Sequence, residues 1–553
     1  MSVNYMKISN QKEFYFLPLG GSGEIGMNLN LYAYEDEWLM VDLGISFSDS
    51  LGIEVIMPNP QFIVERRDKL KALILTHAHE DHLGAVPYLW PQLQCPIYAT
   101  PFTAHLLRNK LQDAGLLDQV KIIEMSLESS HQIGPFHVKL VSLTHSIPEP
   151  NGLLITTPAG SVFHTGDWKI DPEPLVGEKI NEEAIQELGN SGVLAMVCDS
   201  TNALQDGTSG SEKMVRDNLV EAIANHPKGR VIVTCFASNV ARLESVAYAA
   251  QQNGRKVVLS GRSFVRMNEA ARATGYLKNT PAFISAKEAA SLPPEKVLYI
   301  STGSQGEKRA ALYRIAENMH PEIKMEEGDT VIFSSRMIPG NEKSIGLIKN
   351  KFIRRGINVM SWHHYEIHVS GHPAREELRQ MYSWIKPRIA IPVHGELRHM
   401  VEHGRLAKAC GVPEVIIPEN GTLIRLAPDP AGIVEEVPSG KLALDGTILV
   451  RLDHPSLKDR MRLSGSGAVF ISVTFDENLE TTNDPQVEIV GLINTNNLFK
   501  LVEMEVKEIL LGMSHALRGE DINLKAAIGT AVRRLIYNQM GKKPMVVTHV
   551  TYL

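Results

Sequence analysis

Thr76-His77-Ala78-His79-Glu80-Asp81-His82 sets three imidazoles and an internal aspartate directly behind Ala72–Leu75, an apolar stretch that reads as a strand. Side chains this dense cannot all face one way from a helix or a strand. From a tight loop at a strand end they can converge. Imidazole nitrogen and carboxylate oxygen are the donors a borderline cation such as zinc prefers. A polar surface turn that is merely rich in histidine is the competing reading. A loop of this kind invites further ligands, and these have to arrive from other strand ends.

The sequence offers such residues. His145 follows the strand-like His137–Ser142, and Asp167 follows Val162–His164 in His164-Thr165-Gly166-Asp167. His394 follows Ile389–Val393 in Pro392-Val393-His394-Gly395-Glu396, and a glycine beside two of them lets backbone approach closely. Each alone reads as a hydrogen-bonded loop residue; together with the loop at His77 they read as one metal centre. Asp42, at the end of Trp38–Val41, is either a carboxylate that orients the metal loop or a strand-ending turn residue before Gly44.

Composition narrows the classes. The 553 residues suggest three or four domains at about 150 residues each. Lys and Arg total 56 against 63 Asp and Glu, a net charge of −7, which excludes a globally basic nucleic-acid binder. A polyanion has to be held by a local basic patch, a metal or backbone amides. Apolar runs such as Val193–Cys198 fall far short of the roughly 20 residues a membrane span needs, and Met1–Lys12 shows no secretory pattern. Cys95, Cys198, Cys235 and Cys410 form no CxxC pair, so a reducing cytoplasm is expected and a disulfide framework is not.

The first part of the chain, Phe14–Asn202, reads as many short strands. After Gly207 the rhythm changes to strand–helix alternation: Arg230–Phe236 then Val240–Asn253, Lys256–Ser260 then Ser263–Thr274, Val297–Ser301 then Gly306–Asn318, Thr330–Ser334 then Ile345–Arg355. Alternation of this kind predicts a parallel sheet with helices on both faces. From about Val450 come two hairpin strands, Ala468–Phe475 and Gln486–Leu492, two helices, Leu498–Leu517 and Leu524–Met540, and a last strand, Met545–Thr551.

Three strands of the alternating part end in small, amide-rich turns: Phe236-Ala237-Ser238-Asn239, Ser301–Gly306 and Ser334–Asn341. Ligands of open α/β sheets bind beyond strand carboxyl ends, where helix N-termini aim amides at anions. Ser304 with Glu307 reads equally as an ordinary capping box. His368-Val369-Ser370-Gly371-His372 could grip a phosphate through side chains and amides, or form a plain surface turn.

HxHxDH with later His, Asp and His resembles the metallo-β-lactamase superfamily. Cys198-Asp199-Ser200-Thr201-Asn202, His372 and His394 resemble the three motifs of its β-CASP subfamily of nucleic-acid-processing nucleases. Gly20–Asn28, the Phe236 turn, Thr302–Glu307, Pro339–Glu342, Asp484–Val487 and Val532–Pro544 extend the resemblance, over nearly the whole chain, to the bacterial ribonuclease J family. Gln205-Asp206-Gly207 and Ser335-Arg336-Met337 depart from that family's usual wording.

The resemblance implies an αββα sandwich with an inserted parallel-sheet β-CASP domain and a small α+β C-terminal domain. It divides the chain into 1–205 and 368–448 for the sandwich, 206–367 for the insertion and 449–553 for the C-terminal domain. It assigns His77, His79 and His145 to one metal and Asp81, His82 and His394 to a second, with Asp167 bridging. The ions implied are two Zn2+, with Mn2+ or Mg2+ as alternatives. Asp199 and His372 become the acid–base pair, and Phe236, Ala237, Ser238, His368, Val369, Ser370, Gly371 and His372 the substrate-binding set.

The activity implied is hydrolysis of RNA, 5′-to-3′ from a 5′-monophosphate end with added endonuclease action, in RNA maturation and decay. Assembly as a homodimer or homotetramer through the C-terminal domain, and association with proteins of an RNA-degradation complex, are implied by the same resemblance. A DNA-processing β-CASP nuclease is the nearest rival, because the motifs do not read a 2′-hydroxyl. A small-molecule metallohydrolase and an RNA-binding subunit with a vestigial site are the others. Asp49, Glu54 and Asp445 read as solvated loop carboxylates, with a structural cation site as the alternative.

Overall fold

The computed structural model describes residues 12–48, 52–493 and 497–553. The described residues form two compact units, one of residues 12–47 with 55–441 and the other of residues 48, 52–54, 442–493 and 497–553.

The first unit is built on two facing sheets. One has eight strands in the order Gly432–Glu436, Thr422–Ala427, Phe14–Gly20, Leu29–Tyr34, Glu37–Val41, Leu70–Ile74, Ile97–Ala99 and Ile122–Glu124. The other has seven: Ser130–Ile133, Phe136–Ser142, Asn151–Thr157, Gly160–His164, Ala195–Asp199, Ile389–Val393 and Glu414–Val415. Phe14, Phe16, Tyr32, Val41 and Ile74 of the first sheet share a core with Val138, Leu140, Ile155, Val197 and Ile391 of the second. The second sheet's other face, through Phe163, Met196 and Ala390, packs on helices Glu182–Asn190, Arg375–Ile385 and Leu397–Ala409 by way of Ile185, Leu378, Met381 and Leu406. Strands buried on both faces are apolar throughout, as Ala195–Asp199 and Ile389–Val393 are but for the carboxylate that ends the former.

Between those two strands the chain makes a long excursion. Ala195–Asp199 and Ile389–Val393 are parallel neighbours, with Asp199 opposite Val393. The intervening residues include a five-stranded, all-parallel sheet in the order Lys256–Ser260, Val297–Ser301, Val231–Thr234, Thr330–Phe333 and Asn358–Ser361. The alternation of apolar runs and helices predicts this parallel sheet, and the family resemblance implies its insertion into the sandwich. Two expected elements differ. Gly306–Asn318 is helical only over Ala311–Ala316. Gly303 and Gly306 sit at φ +111° and +86°, outside right-handed helix space, and Leu312 N–H returns to the Thr302 carbonyl at 3.0 Å. The expected Ser304 cap is therefore absent; the Glu307 carboxylate instead accepts the Gln305 N–H at 2.9 Å.

In the second unit Ala468–Phe475 is the centre of a three-stranded sheet, antiparallel to Gln486–Val490 and parallel to Met545–Tyr552. Helices Leu498–Gly512 and Asp521–Met540 close over one face through Val502, Val506, Ile528 and Val532. The helix expected over Leu498–Leu517 is broken: it ends at Gly512, Met513 is extended, and a separate turn spans His515–Arg518. The Arg518 guanidinium turns back to donate to the Leu510 carbonyl at 2.8 and 3.1 Å, satisfying a group that every helix end leaves open. Both carboxylate oxygens of Asp445 accept from Arg460, at 2.9 and 2.6 Å; Asp49 lies outside the described residues.

Candidate metal centre

Parallel strands deliver the residues after them to one edge. Gly160–His164, Ala195–Asp199 and Ile389–Val393 run side by side in the same direction, so Asp167, Asp199 and His394 leave the sheet at neighbouring points. Phe136–Ser142 runs the same way, two antiparallel steps along, and His145 follows it. The loop after Leu70–Ile74 comes from the facing sheet, and its second half is a helical turn, Glu80–Leu83, rather than loop throughout.

The seven residues form two groups that share one side chain: His77, His79, His145 and Asp167, and Asp81, His82, Asp167 and His394. In the first, Nδ1 of His79 lies 3.0 Å from His77 Nε2 and 3.1 Å from His145 Nε2. In the second, Asp81 Oδ2 is 3.2 Å from His394 Nε2 and 3.7 Å from His82 Nε2. Asp167 Oδ2 stands between them, 3.8 Å from Nε2 of both His77 and His145 and 3.2 Å from Nε2 of His82.

Several features show that these donors fit cations. Zinc at about 2.0–2.1 Å from tetrahedral ligands holds them about 3.3 Å apart, close to the spacing of the three imidazole nitrogens. Asp167 Oδ1 is buried, lies 3.1 Å from His394 Nδ1 and makes no hydrogen bond of good geometry, an arrangement that is costly in a plain protein core. Burial, with the neighbouring imidazoles adding to it, holds His77 and His145 well below the usual histidine range, which leaves neutral rings with lone pairs to donate. Burial also opposes charge on His82 and His394, yet the Asp167 carboxylate, joined by Asp81, Asp42 and Asp199, outweighs it and raises both. The cluster's carboxylates demand positive charge.

A surrounding layer fixes the rings. Asp42, itself at φ +64°, accepts Thr76 N–H and Thr76 Oγ1–H at 2.8 Å each and pairs with His82 Nδ1 at 2.7 Å. That leaves Nε2 of His82 for the cluster and supports the orienting reading of Asp42. Nδ1 of His145 donates to the Gly371 carbonyl. A Cβ on Gly371 would lie 2.6 Å from His145 Cε1, so this approach requires glycine. His394 adopts φ +50° and is held there by its N–H bond to the Gly21 carbonyl at 2.6 Å.

Asp199 and His372 form a second arrangement on the same edge. His372 Nδ1 meets Asp199 Oδ2 at 2.7 Å, while Asp199 Oδ1 accepts from Thr201 N–H and Oγ1–H at 2.8 and 2.7 Å. Burial opposes ionisation of both, but each partner outweighs it for the other: Asp199 sits below the carboxylate range and His372 above the histidine range. Asn202 Nδ2 donates to Ser370 Oγ at 2.7 Å and to the His372 carbonyl at 3.1 Å. Thr201 and Asn202 are holding residues that the sequence did not single out. Their signal is their place in the Cys198–Asn202 string, directly after Asp199.

Of the remaining substrate candidates, Val369 is buried and Ser370 accepts the His372 N–H at 3.2 Å. His368 Nδ1 is buried without a partner; burial, then Arg242, Arg336 and Lys169, hold its ring well below the usual range. Phe236, Ala237 and Ser238 are half-buried between strand Val231–Thr234 and helix Val240–Gln252, which Asn239 caps. Among the described residues, no hydrogen bond or ion pair of the His/Asp cluster reaches that turn.

Replacing Asp42 with Ala frees His82 Nδ1 and is expected to weaken metal binding by about 10–100-fold, measured by chelator competition against the unaltered protein.

Comparison with known proteins agrees with this geometry. Models described as Beta-lactamase superfamily domain, Ribonuclease J, beta-CASP domain, Zn-dependent metallo-hydrolase RNA specificity domain and Ribonuclease J C-terminal domain match residues 37–232, 228–352, 360–418 and 455–553, respectively. The chain is 43% identical to Ribonuclease J of Sinorhizobium meliloti over 98% of both chains, and 37% identical to that of Thermus thermophilus over 87% of this chain and 85% of the other. It is 33% identical to Ribonuclease J2 of Bacillus subtilis over 98% of this chain and 99% of that one. A solved structure from Enterococcus faecalis V583, titled as a protein of unknown function, shares the fold with a TM-score of 0.53 at 16% identity, covering 75% of this chain and 100% of its own. On its sandwich fold, its His/Asp cluster and this full-length similarity, the chain belongs to the ribonuclease J family of metal-dependent ribonucleases.

Proposed function

We propose that the protein uses two cations, Zn2+ or in their place Mn2+ or Mg2+, to hydrolyse RNA 5′-to-3′ from a 5′-monophosphate end, with internal cleavage as a second mode, in RNA maturation and decay. The observation that carries this reading is the sharing of Asp167 Oδ2 between two ligand groups. His77, His79 and His145 would hold one ion and Asp81, His82 and His394 the other, with Asp167 placed to serve both. Bound there, metal would supply a water nucleophile near neutral pH and stabilise charge on the attacking and leaving oxygens.

The protein's own groups do the rest. With Nδ1 held by Asp199, His372 exchanges a proton at Nε2 with the leaving 3′ oxygen, and its raised proton affinity suits an acid. Asp199 orients that ring and stabilises its charge. Ser370, the Gly371 amide and the unpartnered His368 nitrogen, beside the positive charge of Arg336 and Lys169, hold phosphate together with Phe236–Ser238. A terminal phosphate carries more charge than an internal one, which favours a chain end. The reading includes a cytoplasmic site of action, a homodimer or homotetramer assembled through the C-terminal domain and association with other RNA-decay proteins. No described helix is long and apolar enough to cross a membrane.

His372→Ala should retain both metals by mass spectrometry while turnover falls by about 10²–10⁴-fold; loss of metal instead would mean that His372 is a ligand. End-labelled RNA with a 5′ monophosphate should be degraded faster than its 5′-triphosphate counterpart, and equal exonucleolytic rates would remove the end-binding argument.

A further inference from the structure

We propose that Arg242 is a positioning residue: through a closed ring of buried polar contacts it sets the His368–Gly371 segment against His145 and so governs how tightly a 5′-terminal phosphate is held. The inference rests on the reading above that His368–Gly371 binds RNA phosphate.

Arg242 lies on helix Val240–Gln252 and is 1% exposed. A buried guanidinium needs acceptors for its whole fork of N–H groups, and here they come from both sides. Nε and Nη2 donate to Glu212 Oε2 and Oε1 at 3.2 and 3.1 Å. Nη1 is shared among the Ser334 carbonyl at 2.6 Å, Ser334 Oγ at 2.7 Å and the Ile367 carbonyl at 3.1 Å. Ser334 Oγ–H donates to the same Ile367 carbonyl at 2.6 Å. The peptide immediately before His368 is thus clamped by two donors from the inserted segment, one on a helix and one just past a strand.

On the other side, Glu212 N–H donates to Asp171 Oδ2 at 3.0 Å, and the same oxygen pairs with Lys169 Nζ at 3.0 Å. Asp171 N–H donates to Thr144 Oγ1 at 3.2 Å, and that hydroxyl donates to the Lys169 carbonyl at 2.7 Å. The next residue is His145, whose Nδ1 donates to the Gly371 carbonyl. The ring closes through the backbone from Gly371 to Ile367. Asn239 adds the Phe236–Ser238 turn to it: its Oδ1 accepts Arg242 N–H at 2.7 Å and its Nδ2 donates to Glu212 Oε1 at 3.2 Å. Both segments assigned to phosphate are therefore anchored on one ion pair, which also sits in the hydrogen-bonded path to a metal-ligand imidazole.

Folding alone does not call for such a pair, since buried ion pairs are often replaceable by apolar residues without loss of stability. A positioning role predicts a selective effect. Arg242→Lys in the full-length, metal-loaded protein keeps the charge and loses the planar fork. Its KM for 5′-monophosphate RNA should rise about tenfold. KM for 5′-hydroxyl RNA of the same sequence, kcat on both and metal content should each stay within about twofold of the unaltered protein. Ser334→Ala removes one of the two clamps on Ile367 without stranding a charge. It should shift KM in the same end-selective way by a smaller factor, and it carries the test if the lysine variant does not fold. Equal KM shifts on both RNAs, or a lowered melting midpoint with KM unmoved, would overturn the proposal. His368→Ala separates the two levels: if it raises KM for 5′-monophosphate RNA and neither other variant does, the ring fails alone. If it too leaves KM unchanged, the phosphate-binding reading fails with it.

Discussion

One buried carboxylate organises this protein's site. Asp167 is enclosed by imidazoles from four segments, and its Oδ2 lies within 3.8 Å of ring nitrogens of His77, His82 and His145. A carboxylate with no access to water is stable only where positive charge or hydrogen bonds compensate for lost hydration. Its Oδ1 lies 3.1 Å from His394 Nδ1; burial lowers the proton affinity of His77, while the carboxylates draw His82 and His394 toward the charged form. Imidazoles and carboxylates gathered this closely and away from water fit the binding of metal.

The fold produces that enclosure by direction rather than by proximity in sequence. Three parallel strands release Asp167, Asp199 and His394 at adjacent points of one sheet edge, and the facing sheet contributes the His77–His82 segment across the top. The inserted parallel sheet then occupies the gap between Asp199 and Ile389. Its strand-end turns are tied to the residues before His368 through Arg242, Glu212 and Ser334. The C-terminal unit has its own core around Val469, Val502 and Ile528.

Much of this was legible in the residues. His77–His82 is too dense in ligands to be accidental, and His145, Asp167 and His394 each stand just past the end of an apolar run, where a strand hands the chain to a loop. Which oxygen is shared could not be read, because that depends on the spacing of strands that pair only in the fold. The Arg242–Glu212 pair was equally hidden: each residue alone looks like an ordinary charge on a helix face, and only the packing of the insertion buries both. The two misjudged helices fail for local reasons. Apolar spacing over Gly306–Asn318 suggested a helix where two glycines in left-handed space hold a turn, and the run Leu498–Leu517 concealed a break that Arg518 satisfies from farther along the chain.

The central claim is that two cations share Asp167. Anomalous-diffraction maps from crystals of the zinc-loaded protein, recorded across the zinc edge, test it most directly. Two peaks about 3.5–4 Å apart are expected, one within bonding distance of His77, His79 and His145, the other of Asp81, His82 and His394, both beside Asp167 Oδ2. A single peak, or none within reach of His394, would contradict it.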